Sequence, residues 1–214
     1  MIAEELPMNQ QAPQRIGEVI TSSTTHFTAG TYKLFAAPPF GSLVKAQTQT
    51  PPTVIYGLVY EICTSSREPG GKALVRGKTY SGRELHNQEI YDENPDLPEV
   101  LQTEFSAIIV GFGDGQERVN YYLPPQPPTI HYDVSPCSPK EATTFSTSFA
   151  FLRTVLLASQ IPSDELAAAA LRTFAQNQPN PRAYLIAAGK ELARFLKEDY
   201  DRLTAIVQRI ELGK

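Results

Sequence analysis

The sequence predicts an α+β chain in which a small β-barrel of about six strands precedes a helical region of about three helices. Three observations carry this expectation. Residues 15–65 and 105–123 are short runs of β-branched and aromatic residues punctuated by Pro and Gly, the texture of a small barrel. After Cys137 the apolar period changes from two to about 3.6. Charge divides at the same place: residues 1–135 hold 9 basic and 15 acidic residues, a net of −6, whereas residues 136–214 hold 10 and 8, a net of +2. With 214 residues, each part is long enough to bury a core, and a boundary is expected near Pro136.

Residues 1–14 are polar and rich in Gln and Pro, which predicts a disordered arm. They show neither the basic n-region nor the apolar h-region of a signal peptide. Strands are expected over 16–20, 26–34, 42–46 and 53–62, where Gly30 and Gly57 mark bulges or tight curvature of the kind barrel closure requires. Residues 66–100 break the pattern. Their first half is glycine-rich and basic and their second acidic, so they read as a long loop insertion with a short helix around 98–102. Strand character returns over 105–112, and Asp114-Gly115 predicts a hairpin turn into a strand over 118–123. Pro124, Pro125, Pro127 and Pro128 lack backbone donors and predict an extended connector. Residues 15–135 therefore make the barrel domain and 136–214 the helical one.

Ser138-Pro139-Lys140-Glu141 is a capping-box pattern with proline at the first helical position. It predicts a helix with Phe145, Phe149, Leu152, Val155 and Leu156 on one face. Ser163-Asp164-Glu165 opens an Ala-rich second helix bearing Leu166, Ala170, Leu171 and Phe174. Asn180-Pro181 opens a third, continuous through Leu185, Ala188, Leu192, Phe195, Leu196, Leu203, Ile206 and Ile210 and ending near Gly213.

Several strings in the first half resemble the HAS-barrel, the small barrel at the N-termini of HerA-type ATPases and of ATP synthase α and β subunits. They are Ile16-Gly17-Glu18-Val19-Ile20, Phe27-Thr28, Ala37-Pro38-Pro39-Phe40-Gly41-Ser42-Leu43-Val44-Lys45 and Tyr56-Gly57-Leu58-Val59-Tyr60. Pro95-Asp96-Leu97, Thr103-Glu104-Phe105 and Val110-Gly111 resemble the closing part of the same domain. The resemblance covers residues 15–135, and nothing after 136 matches an ATPase core. Taken whole, the chain is similar to stand-alone HAS-barrel proteins of cyanobacteria. The resemblance implies a structural module that packs into ring crowns and offers docking surface, hence an assembly or adaptor role by analogy of fold.

The residues themselves spell out no complete catalytic constellation. Gly71-Lys72-Ala73-Leu74-Val75-Arg76-Gly77-Lys78-Thr79 approaches a Walker A loop. It has five residues instead of four before the terminal glycine when counted from Gly71, and Lys72 where a glycine is required. Gly111-Phe112-Gly113-Asp114-Gly115 reads as a turn between strands and not as a dinucleotide fingerprint. His26, His86 and His131 stand at no metal spacing from one another or from Cys63 and Cys137, and those two cysteines suggest no disulfide framework. Neither a cofactor nor a metal is expected.

One segment stands out. Arg67, Lys72, Arg76, Lys78 and Arg83 fall within seventeen residues together with Tyr80 and a single acid, Glu68. Basic residues beside an aromatic suit either a docking surface or contact with nucleic-acid phosphates. The expectation is a non-enzymatic assembly or adaptor protein, with self-association or a protein partner. The alternative is a nucleic-acid-associated accessory factor acting through residues 67–83. The net of −6 around that segment weighs against the alternative. No apolar run approaches the roughly 20 residues of a membrane span, and a cytoplasmic location is expected.

Overall fold

The structure, a computed structural model, describes residues 14–113 and 118–210. Six strands close into an antiparallel barrel: β1 (Gly17–Ser22), β2 (His26–Thr31), β3 (Leu43–Gln47), β4 (Val54–Ser66), β5 (Leu101–Gly113) and β7 (Asp133–Pro136). Their order around the wall is β2-β1-β7-β3-β4-β5, and β2 pairs with β5 to complete the ring. A two-residue strand, β6 (Val119–Asn120), hangs on the end of β5.

Period-two alternation fills the barrel. Val19, Phe27, Ala29, Val44, Ala46, Ile55, Val59, Phe105, Ala107, Ile109 and Val134 form one buried cluster. Gly57 makes room inside it: a Cβ there would lie 2.9 Å from both the Phe27 ring and Ala107. It also sits at a register shift between β4 and β5, so both the packing and the bend require glycine. Gly30 pairs regularly with Glu18 and Glu104, and a Cβ at that position would only push aside the amide end of the Gln102 side chain.

The outer faces of β3, β4 and β5 carry Leu43, Tyr56, Leu58, Ile108 and Val110, and the helices pack on them. Both faces of these strands are therefore apolar, which accounts for their near-continuous hydrophobic runs. Phe145 lies at the junction, its ring centroid 5.4 Å from that of Tyr56 and 5.2 Å from that of Tyr121. Gly41, at φ +82°, lets the backbone pass against Ala169 and Ala170 of the helical layer.

Five helices follow the barrel, not about three: α3 (Pro139–Phe145), α4 (Phe151–Leu157), α5 (Ser163–Gln176), α6 (Pro181–Phe195) and α7 (Tyr200–Ile210). The expected first helix breaks at Ser146-Thr147-Ser148. There Ser146 Oγ donates to the Thr143 carbonyl at 3.2 Å and Thr147 Oγ1 to the Thr144 carbonyl at 2.8 Å, terminating the turn. The expected third helix breaks because Asp199 caps a new one, its carboxylate accepting from the Arg202 N–H at 3.1 Å. Phe195, expected on the buried stripe, is left 40% exposed by this break. The capping box at Ser138 and Glu141 is present as expected.

Other differences are local. β7 was not anticipated, because Asp133-Val134-Ser135-Pro136 is too short and too polar to signal a strand. It nevertheless bridges β1 and β3, with Pro136 tolerated at its last position. Residues 26–34 form a strand only to Thr31, and the strand expected over 118–123 shortens to two residues. Within the insertion, α1 (Gln88–Glu93) and α2 (Leu97–Val100) precede β5, which already includes Leu101 and Gln102. The arm over 1–13, the Asp114-Gly115 turn and the chain end near Gly213 lie outside the described residues.

Candidate functional site

Residues 67–100 leave the barrel at the end of β4 and return at the start of β5. Leu85 and Leu97 are their buried anchors. Between residues 77 and 85 the chain folds into a small hairpin, in which Leu85 N–H donates to the Gly77 carbonyl at 3.0 Å and Thr79 N–H to the Arg83 carbonyl at 2.9 Å. Gly82, at φ +87°, turns its tip. The Gly71–Thr79 string thus runs into a hairpin, and the next helix, α1, opens only at Gln88.

The structure places the six candidate residues differently. Arg76 grips Asp96 through two contacts, Nη1 to Oδ1 at 2.9 Å and Nη2 to Oδ2 at 2.8 Å, and its Nη1 also donates to Asn94 Oδ1. Arg83 reaches Glu93 at 3.2 Å and Glu89 at 3.8 Å. Arg67 donates its Nε to the Leu101 carbonyl at 3.2 Å. Arginine and acid together staple the basic half of the insertion to its acidic half. Lys72 and Lys78 enter no ion pair among the described residues. Tyr80 sits at the hairpin turn, fully exposed.

Sequence reasoning passed over Leu74 and Val75, which were absorbed into the Walker-like string. They are 80% and 99% exposed, beside a cleft of about 600 Å³ that also borders Arg67, Lys72, Tyr91 and Leu97. Only their place between two basic residues in a glycine-rich loop hinted that they would not be buried. The loop is tied to the barrel at Tyr91, whose ring meets Phe35 edge-on at 5.8 Å.

Elsewhere several charged groups are partnered. Asp133 joins Arg15 at 3.2 Å and accepts the Tyr32 hydroxyl at 2.9 Å. Partial burial and that carboxylate push the Tyr32 hydroxyl above its ordinary pKa. Lys45 holds Glu141 at 2.5 Å. Both cysteines are free thiols, Cys63 exposed and Cys137 half-buried. Burial, reinforced by Glu141, drives the Cys137 thiol strongly up, which makes it a poor nucleophile. Among the described residues no group of three or more His, Cys, Asp or Glu is placed to hold a metal ion, and no helix is long and apolar enough to cross a membrane.

No family model matches the chain, and no curated protein matches it.

Proposed function

We propose that this chain is a non-enzymatic assembly or adaptor protein, a HAS-type barrel whose insertion serves as a docking surface for a protein partner. The observation that carries the reading is the display of Leu74, Val75 and Tyr80 on a loop stapled in place by Arg76–Asp96 and Arg83–Glu93. Large apolar side chains held in water by a built scaffold suit a protein contact better than a solvated linker. The same staples weaken the nucleic-acid alternative, since two of the five basic residues are already neutralised within the chain.

A photo-crosslinking residue substituted for Val75 in the native cell tests this reading. The expected product is a defined protein adduct insensitive to nuclease, which weakens when Leu74 and Tyr80 are replaced by Ser. A nuclease-sensitive adduct would return the nucleic-acid role to the front. Titration with Mg-ATP is expected to give no binding heat; micromolar binding lost in Lys78→Ala would overturn the non-enzymatic reading.

A further inference from the structure

β4 is 13 residues long, yet β3 pairs only with its first part, from Val54 to Leu58. Beyond a register shift at Val59/Glu61, β4 runs on with β5 as its one neighbouring strand. Residues 61–65 are all exposed. Barrel closure removes the edges of a sheet, but this half of β4 keeps one.

The direction of its backbone groups follows from the register. Arg67 N–H donates to the Val100 carbonyl at 2.9 Å, so Arg67–Val100 is a hydrogen-bonded pair. Ser65–Gln102, Cys63–Glu104 and Glu61–Ser106 share that register and alternate with it. The N–H and C=O groups of Ile62, Thr64 and Ser66 therefore face away from β5. Among the described residues the sole hydrogen bond reaching them is a 3.5 Å contact from Ser65 Oγ to the Ser66 carbonyl. Edge strands are ordinarily guarded by lysine, proline or an inward charge. Ile62-Cys63-Thr64-Ser65-Ser66 has none of these.

We propose that the distal edge of β4 pairs antiparallel with the same edge of a second copy, about a two-fold axis at Thr64. The inference rests on the assembly reading above and names its partner and surface. Outward-facing groups then meet outward-facing groups: Thr64 pairs with Thr64 of the second copy, and Ile62 with its Ser66, each pair exchanging two hydrogen bonds. The same register sets Glu61 opposite Arg67 of the second copy, and Arg67 opposite its Glu61. These fall in non-hydrogen-bonded pairs, where side chains approach most closely. Among the described residues neither Glu61 nor Arg67 enters an ion pair, and the Arg67 side chain donates from Nε to the Leu101 carbonyl. A two-fold contact thus satisfies an open ladder and two unpaired charges at once.

Light scattering on the full chain across a range of concentrations tests the proposal. The wild type is expected to dimerise. Glu61→Arg and Arg67→Glu should each raise the dissociation constant at least about tenfold, because each sets like charges face to face twice. The double variant Glu61→Arg with Arg67→Glu restores both pairs, and dimerisation should return. Thr64→Pro is a second route: it removes an outward donor and, apart from the 2.8 Å Thr64–Thr103 hydroxyl contact, leaves the β4–β5 backbone ladder in place, so the monomer it yields should keep the wild-type circular dichroism. A wild type that stays monomeric throughout would overturn the dimer. Association that none of these variants changes would remove this edge while leaving an assembly role, tested separately at Val75, in place.

Discussion

Phe145→Ala probes how firmly the helical region is fastened to the barrel. The ring is 1% exposed and sits within 6.0 Å, centroid to centroid, of Tyr56, Tyr121, Phe151 and Phe174. Those four come from β4, the segment after β6, α4 and α5, so no single shift can close the void. A buried Phe→Ala change costs about 3–5 kcal/mol, and the upper half of that range is expected where the walls cannot collapse together. With a urea m-value of about 2 kcal/mol per molar, the midpoint should fall by about 2 M. The chain has no Trp, so far-UV circular dichroism and the near-UV tyrosine signal are the probes, and both should move together in one transition. A loss under about 1 kcal/mol would show that this ring does not fasten the two regions. Helices melting while the tyrosine signal holds would refute a shared core.

Three further perturbations test separate features. Glu141 is partly desolvated, which alone would raise its pKa, but hydrogen bonds from Lys45 and from the Ser138 hydroxyl and N–H hold it below the usual carboxylate range. A depressed folded pKa gives stability that is present above the unfolded value of about 4.3 and is lost as pH falls through the folded one. The melting-temperature gap between wild type and Glu141→Gln should therefore be widest near neutrality and narrow in acid; a gap constant down to about pH 2 would contradict the assignment. Arg76→Ala should speed limited proteolysis within residues 70–84 while costing at most about 1 kcal/mol of global stability, since the Arg76–Asp96 pair is only partly buried. Unchanged cleavage would mean the staple does not order the loop. The buried Tyr184 hydroxyl lies beside the Ser146 side chain without a well-formed hydrogen bond among the described residues, so Tyr184→Phe should change stability by less than about 1 kcal/mol in a urea melt, and a larger loss would show that Ser146 is its partner.

The barrel was legible because its signal is local. Alternation places Val19, Phe27, Ala29, Val44 and Ala46 inside without knowledge of their neighbours, and the capping box at Ser138 announces α3 within four residues. What escaped depended on distant partners. β7 has too few residues to show a period, and it is a strand because β1 and β3 leave a gap that Val134 and Ser135 complete. The helix breaks were missed for a related reason. An apolar stripe persists across Ser146–Thr147 and across Asp199 because both sides of each break face the same core, whereas hydroxyl and carboxylate caps set where the axis turns.

The candidate surface shows why charge read along a sequence misleads. Counted in order, residues 67–83 are strongly basic and the acids that follow read as a separate solvated face. In three dimensions Asp96, Glu93 and Glu89 fold back onto Arg76 and Arg83, so the cationic character shrinks toward Lys72, Lys78 and what remains of Arg67. An arginine spent on an internal carboxylate cannot also neutralise a phosphate without breaking that pair. Leu74 and Val75 carry the opposite lesson, since side chains of their type are ordinarily buried and here the scaffold turns them outward. The open half of β4 follows the same logic: apart from Glu61 its sequence is an ordinary uncharged strand, and only the point at which β3 stops pairing turns it into an edge.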